Sequence, residues 1–503
     1  EFPIDFMFRL YNENNDILYT DNITNNESVF WTKDIVQINE VVKMEIEILK
    51  WNTPNRVIKI MEVFSSIQEI YEGEDIISIS LIEERETSQG SLPVGNISSN
   101  EIEVVFNNVN REFDVGNVDS NLYRLVKPNR KITAWIGVEN ELIPIGVFWT
   151  KDWDVPEDGL VAKTIGRDRL DRLRDTEYTT SKVETNKSIY QLAETILNDA
   201  GLKENQYWLD AELKDYTIPY AYFKPVSHRE ALRQLATACI GQVYCNRQGV
   251  IRFEGPGFAL NRIDEVKTLA FLQAELPTEV EVIDSYGISG DDYFSKDNPS
   301  KQSDIANHIT IETQPLEVKP NQELYSAKDL LAVRGLMTQM TINYNSVPAI
   351  NVNVEVSGDV VIVSEEIYSW GTELYIFAPN NSVNDITVTG QPLVVSNKDN
   401  ITVKDSESII ENGTIRYKLP NNHLIQSRGI AEIVAEKLLR YHKDPKRDVE
   451  IDWRGNPALE LGDIIRVNDY PRGTNETIGY YYVTKQELEF MGYLRASMEG
   501  RRV

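Results

Sequence analysis

From Ile350 to Val356, β-branched residues alternate without a break with Asn351, Asn353 and Glu355. Only an extended strand with one face in a core and one in water satisfies such a period of two. The same alternation recurs far away, strictly over Val42–Ile48 and more loosely over Ile76–Glu84, Glu101–Phe106 and Leu374–Phe377. A chain of 503 residues written largely in this pattern exceeds one core. It is expected to be mainly β with α+β parts and several domains.

The first residues follow this grammar. Phe2, Ile4, Phe6, Phe8 and Leu10 share a face, Asn12–Asp16 make a polar turn, and Ile17–Thr20 return as the second arm of a hairpin. A six-residue string, Val-Phe-Trp-Thr-Lys-Asp, occurs at 29–34 and again at 147–152. The flanks differ: the second copy sits between Ile143-Pro144-Ile145-Gly146 and the turn 155–159, and the first has no such turn. The two copies are therefore read as separate strands of similar composition, not as a repeated module. Residues 1–66 form one all-β unit that lacks its first strands, and 67–175 a second β-rich unit.

The texture changes after residue 175. Ile189, Leu192, Ala193, Ile196 and Leu197 fall on one helical face, with Gly201 beyond the end. Ser227 followed by Glu230 predicts a capping box that opens a second helix, whose buried stripe is Leu232, Leu235, Ala236 and Cys239. A hairpin follows, Val243–Cys245 and Val250–Phe253 around the turn Asn246–Gly249. Residues 176–285 are thus a small α/β domain. Residues 289–303 have loop composition, 286–420 make a second β-rich unit, and 421–503 supply a helix and closing strands. That last helix, Arg428–Tyr441, is expected to bury Ile430, Ile433, Val434, Leu438 and Tyr441.

The formal net charge is −28. A protein that grips nucleic acid neutralises phosphates with Lys and Arg, so this balance argues against adhesive DNA binding, though not against DNA passing near a repelling acidic wall. No apolar run reaches the length of a membrane span. With two cysteines, neither a disulfide framework nor a cysteine metal site is expected, and Cys239 reads as core. His423 and His442 read as surface residues. Nucleophile elbows, phosphate loops and zinc helices are missing, and adjacent acids such as Glu83-Glu84 or Asp291-Asp292 carry little weight in so acidic a chain. No catalytic residue, metal or cofactor is assigned.

One stretch suits ligand contact. In Lys50–Arg56 an aromatic stands beside amides and a guanidinium, so Trp51, Asn52, Asn55 and Arg56 could hold a sugar by stacking and hydrogen bonds. The competing reading is a turn fixed by Asn and Pro, with Trp51 covering the end of a sandwich.

Several stretches together resemble the central hub proteins of phage tail tips and baseplates, especially those of phages infecting Gram-positive bacteria. They are Ser91–Glu101 with Val104–Asn108, Lys127–Arg130, Gly146–Trp153, the turn Gly166–Leu170 that closes the first barrel, and Trp453–Asp463. The N-terminal unit resembles the jelly-roll, galactose-binding-like domain some of these proteins carry. The resemblance implies two hub β-barrel domains per subunit and a homotrimer whose pseudo-sixfold ring continues the tail tube. It also implies a virion location at the tail tip, and no enzymatic activity. Implied partners are the distal tail and tail tube proteins, the tape measure protein and tip or receptor-binding proteins, with the host cell wall nearby. DNA would pass through without specific binding. Many relatives continue into a cell-wall-cleaving segment; with the chain stopping at Val503, none is expected here. The alternatives are a carbohydrate-binding adhesin or a cell-wall glycan hydrolase of the tail tip.

Overall fold

The computed structural model describes residues 2–27, 31, 33, 35, 38, 40–51, 69–85, 92, 94–95, 97–123, 125–138, 141–156, 159–257, 286–299, 304–445, 448–468 and 478–502. The chain divides into two compact units, 1–70 and 71–503. In the first, β1 (Pro3–Tyr11) is flanked antiparallel by β2 (Ile17–Ile23) and β3 (Lys43–Trp51). Phe6 and Leu10 are its buried side chains, and Trp31 packs edge-on against Phe6. Of the first six-residue string only Trp31 and Lys33 are described, and neither lies in a strand. Lys50 and Trp51 belong to the end of β3 rather than to the expected turn.

The second unit opens with β4 (Ile76–Glu84), β5 (Glu101–Asn107), β6 (Lys131–Val138), β7 (Glu141–Asp154) and β8 (Val161–Arg167). The second six-residue string lies within β7. The expected polar turn at 166–170 is instead a strand end running into a helix, α1 (Arg169–Asp175), because the Asp168 carboxylate accepts from Leu170 N and caps it.

An α/β body follows, with β9 (Glu177–Tyr178), β10 (Glu184–Ser188), α2 (Ile189–Asp199), β11 (Tyr207–Leu209), β12 (Thr217–Ala221), β13 (Val226–Ser227), α3 (His228–Cys239), β14 (Gln242–Cys245) and β15 (Ile251–Glu254). All the apolar positions expected on α2 and α3 are buried. Ser227 accepts from Glu230 N, but the Glu230 carboxylate turns to Arg233 and Gln234, so only half of the expected capping box forms.

Next come β16 (Tyr286–Ile288) and β17 (Tyr293–Asp297). The stretch 289–303 was expected to be loop. Its residues 293–297 are a strand instead, held by pairing with a strand some 150 residues on. Residues 308–418 contribute β18 (His308–Glu312), β19 (Leu316–Val318), β20 (Gln322–Ala332), β21 (Met337–Asn343), β22 (Ala349–Val356), β23 (Val361–Ile367), β24 (Gly371–Phe377), β25 (Ser382–Val395), β26 (Asn400–Lys404), α4 (Ser406–Asn412) and β27 (Arg416–Lys418). Strands β19 to β25 enclose a small core around Leu324, Leu374, Ile386 and Val388, whereas β18 and β26 pack into the α/β body.

The chain closes with α5 (Arg428–His442), β28 (Val449–Trp453), β29 (Ile464–Asn468), β30 (Ile478–Phe490) and β31 (Leu494–Arg502). Helix α5 buries Ala431, Val434, Ala435, Leu438 and His442, while Ile433 is 43% exposed. The packed face favours small residues that let the helix approach the sheet, so Ile433 was wrongly expected inside. Nor are the histidines on the surface: His442 is 4% exposed, and His423 packs on Tyr222 with its Nε2 2.7 Å from the Tyr222 carbonyl.

Among the described residues eleven strands of the second unit join one sheet in the order β17-β28-β31-β30-β4-β5-β8-β7-β6, with β29 and β16 continuing from β30. Strands from the first and last parts of the unit therefore share one sheet and one core, which includes Leu81, Ile102, Val104 and Phe148 with Val449, Ile451, Tyr481 and Leu488.

This sheet contains the same five-strand module twice. The order β4-β5-β8-β7-β6 repeats as β17-β28-β31-β30-β29, every pairing antiparallel. Register matches as well as order. The opposed pairs Ile102–Gly166 and Ala162–Phe106 correspond to Val449–Gly500 and Ala496–Trp453. Ile132–Phe148 and Ala134–Gly146 correspond to Ile465–Tyr481 and Val467–Gly479. Two of the first module's three irregularities recur: the break between Ile76 and Ser78 reappears between Tyr293 and Ser295, and the one between Thr150 and Asp152 between Val483 and Lys485, while the one between Ala134 and Trp135 has no counterpart in the β29–β30 pair. Bulges re-aim a strand at a fixed point, so their recurrence marks one architecture used twice.

Candidate functional site

The two modules meet where β4 lies antiparallel to the C-terminal half of β30, with Glu83 opposite Gln486 and Leu81 opposite Leu488. The tip of the β14–β15 hairpin enters beside this seam. Arg247 Nε donates to Glu83 Oε1 at 2.9 Å and its Nη2 to Glu83 Oε2 at 2.6 Å. The same guanidinium donates to the carbonyls of Pro457 and Leu459, the latter at 2.7 Å, and Gln486 Nε2 reaches the Leu459 carbonyl at 3.2 Å. Both charged side chains are buried. Burial pushes the Glu83 carboxyl up, against the pull of Arg247, and the Glu83 carboxylate raises the Arg247 guanidinium despite its desolvation. Two residues along, Arg85 pairs with buried Glu254 of β15 and donates from Nε to Gln242 at 2.9 Å. Glu83 near the end of β4 and Arg85 just beyond it thus both turn to the β14–β15 hairpin, where they fasten the seam to the α/β body.

A second link runs through Asn100. Its Nδ2 donates to the Cys245 carbonyl at 2.8 Å, its Oδ1 accepts from Glu84 N at 3.1 Å, and its own N donates to Asp168 at 2.7 Å. Asp168 is wholly buried, and burial raises its carboxyl from 3.8 to about 7 against the opposing backbone donors and Arg229.

The candidate residues read from sequence fall apart. Trp51 ends β3 opposite Pro3, half-buried, while Asn52, Asn55 and Arg56 lie outside the described residues. Glu83 and Glu84 point to opposite sides of β4, and Asp292 accepts from Ser289 N and Oγ within a turn. Cys239 and Cys245 are free and buried, and burial pushes the Cys239 thiol up to about 12. Among the described residues no group of three or more His, Cys, Asp or Glu could hold a metal ion, and no helix is long and apolar enough to cross a membrane. Sequence reasoning missed Arg247, since a charged residue in a turn reads as solvated. The stretch Trp453–Asp463 hinted at it, because that is the stretch whose carbonyls receive the guanidinium.

A duplicated five-strand module fused into one sheet and locked to an α/β body by buried ion pairs defines a multidomain β scaffold. No family model matches the chain, and no curated protein matches it. Among solved structures, it is similar to the 43 kDa tail protein of prophage MuSo2 from Shewanella oneidensis. Identity is 10%, coverage 86% of this chain and 95% of that one, and the TM-score 0.44. It is also similar to the tail protein from Neisseria meningitidis MC58, with 8% identity, 85% and 92% coverage and a TM-score of 0.44. A third likeness is to the E. coli c3393 protein, a type VI secretion component described as structurally similar to T4 tail proteins. There identity is 8%, coverage 87% and 76%, and the TM-score 0.37. All three TM-scores lie below 0.5.

Proposed function

We propose that this chain is a structural hub of a phage tail tip, located in the virion. Three copies form a ring with two modules each, giving six similar positions around a channel. The observation that carries this reading is the duplicated module, matched in strand order, in the register of its opposed pairs and in two bulges. Two like units in each of three subunits are what an adaptor between a sixfold tube and a threefold tip requires. In this reading the modules are the two tube-like barrels, and the buried pairs Glu83–Arg247 and Arg85–Glu254 keep the α/β body from shifting against them. Residues 1–66 are an appended recognition domain, with Trp51 as its candidate glycan contact. Neighbours in the particle are tube, tape measure and tip proteins, and the role is not catalytic.

The sheet face turned away from the core lines the channel in this reading. It presents Glu101, Glu103, Glu450, Asp452, Glu487, Glu489 and Glu499 against Lys163, Arg167, Lys485 and Arg495. An excess of acid repels a polyanion and lets it slide. Mass measured on the native protein, with images of the same sample, tests the proposal. A species of three chain masses with a threefold ring supports it, and a single-chain mass at high concentration overturns it.

A further inference from the structure

The duplication sets one row of side chains twice on the sheet face turned away from the core, and the two copies are finished differently. In the second module Asp448 pairs with Arg501 at 3.6 Å, Arg501 stands opposite Tyr482, and Tyr482 opposite Ile464. In the first, Glu101 pairs with Arg167, Arg167 stands opposite Trp149, and Trp149 opposite Lys131. The second row is sealed. Tyr482 and Ile464 are buried, and Tyr441 of α5 lies on them, its hydroxyl bonded to that of Tyr482 and its ring beneath Arg501. What lies on the first row is α1, and it brings cations. The guanidinium carbons of Arg169 and Arg172 stand 5.0 and 5.2 Å from the centre of the Trp149 ring. Arg169 Nε donates to the Gly249 carbonyl at 2.9 Å, whereas Arg172 has no hydrogen-bond or ion-pair partner among the described residues. The acids of α1 are engaged elsewhere. Asp168 caps the helix, Asp171 faces Lys151, Arg174 and Arg229, and Asp175 faces Arg174. Lys131, where the second module has buried Ile464, is exposed and also without an ion pair among the described residues. Partial desolvation pulls both guanidinia down, and the charge of Arg172 pulls Arg169 down further. In a chain of net charge −28, cations grouped about one tryptophan without a counter-charge are the exception.

We infer that Trp149, Arg169, Arg172 and Lys131 form a binding site for carboxylates, taken by a short acidic segment of a second protein. A guanidinium receives a carboxylate in a two-pronged way, and stacking on an indole holds it ready beforehand. Charge complementarity chooses the occupant's sign, and the tryptophan helps to choose its kind. With two guanidinia over it, the Trp149 ring is their seat rather than a platform for a base, which a single-stranded nucleic acid would need. A long polyanion would also run on from the site over the acid excess of the same sheet face, at Glu103, Glu450 and Asp452. A segment of a few acidic residues needs only the cations about Trp149. The inference goes beyond the hub reading and does not rest on it, since every element of the site lies within one chain.

Titration of the full chain with a fluorescent oligo-glutamate peptide at low salt, read by anisotropy, tests the site. The expected result is saturable binding that weakens as salt rises. Arg172→Gln removes no described bond of the fold and is expected to weaken binding about tenfold, the loss of one charge-assisted contact. Arg172→Lys weakens it less, because the charge stays and the fork goes. Arg172→Glu abolishes it. Lys328→Gln, which removes an exposed cation of β20, leaves it unchanged. Circular dichroism of each variant confirms that it is folded. Equal binding by the parent and Arg172→Glu overturns the site, as does a loss with Lys328→Gln equal to that with Arg172→Gln. A single-stranded oligonucleotide that binds more tightly than the peptide, and loses that binding in Arg172→Glu, overturns the acidic segment as occupant in favour of nucleic acid. A native mass of one chain would end the ring reading and leave these outcomes as they are.

Discussion

Arg247 and Glu83, 164 residues apart in sequence, meet as a two-pronged ion pair with both side chains out of water. Taking two charges from water is costly, and the attraction offsets that cost only while both remain. Arg247→Met strands a buried carboxylate and is expected to cost about 3–5 kcal/mol. Adding Glu83→Leu to it recovers at least half of the loss. Denaturant unfolding of the two variants checks this; equal losses would mean that the guanidinium's bonds to the Pro457 and Leu459 carbonyls matter more than the charge pair.

Gly166 and Gly500 sit at corresponding points of the two modules. A Cβ on Gly166 would stand 3.1 Å from Ile102 Cγ2 and from Phe148 Cβ, and one on Gly500 3.0 Å from Val449 Cγ1 and Tyr481 Cβ. These neighbours are themselves counterparts. Gly166→Val and Gly500→Val are each expected to lose about 1–3 kcal/mol through overpacking. The two losses should agree within about 1 kcal/mol, given the usual spread of such values. Thermal unfolding of both variants measures it, and a loss at one site alone would argue against equivalent packing.

Much of this fold was legible locally, and little of it globally. Alternation located β4, β5, β22 and β24, and the 3.6-residue stripe located α2 and, with its serine cap, α3, because those signals lie within a dozen residues. Strand β17 did not stand out. It is an edge strand of five residues among Asp, Asn and Pro, and its strand character comes from β28. The duplication was hidden for a related reason. What the modules share is register, bulge position and small residues at tight points, such as Ala162 with Ala496 and Gly166 with Gly500, and none of these needs sequence identity. The identical string Val-Phe-Trp-Thr-Lys-Asp does not mark the repeat: its second copy lies in β7 of the first module, and its first copy belongs to neither module. The Glu83–Arg247 pair was illegible because burial of a charge is decided by its partner, here in a distant hairpin turn.

Asp168 makes stability depend on pH. Its carboxyl titrates at about 7 in the folded chain against an ordinary 3.8, so the folded state holds the proton more tightly than the unfolded one. This contribution is complete below pH 3.8 and is lost as pH rises through about 7. It is on the order of 4 kcal/mol at most. Asp168→Asn keeps a side chain able to cap α1 and cannot ionise. Unfolding free energies between pH 4 and 8 are expected to fall less steeply for the variant than for the parent, and parallel curves would show that Asp168 stays charged when folded.

The channel proposed for the outer sheet face makes a prediction about nucleic acid. Glu101 pairs with Arg167, Glu103 with Lys163 at 2.7 Å, and Lys485 with Glu487 at 2.8 Å, which leaves acids in excess along the rest of the face. These pairs are exposed enough for salt to screen them, so the field felt by a passing phosphate comes from the net charge. Glu450→Lys with Asp452→Lys and Glu489→Lys reverses three positions of that face; Asp452→Lys also removes the hydrogen bond that Ser295 Oγ donates to Asp452 at 3.0 Å, so circular dichroism of the variant first checks that it folds. The parent protein is expected to give no retardation of a short duplex at about 0.15 M salt, within the physiological range of screening. The triple variant should bind it, with an affinity that falls steeply as salt rises, since each neutralised phosphate releases a counterion. Binding by the monomer and the trimer alike would mean that this face is open rather than enclosed. Binding that needs the trimer would mean that the three faces converge on one path.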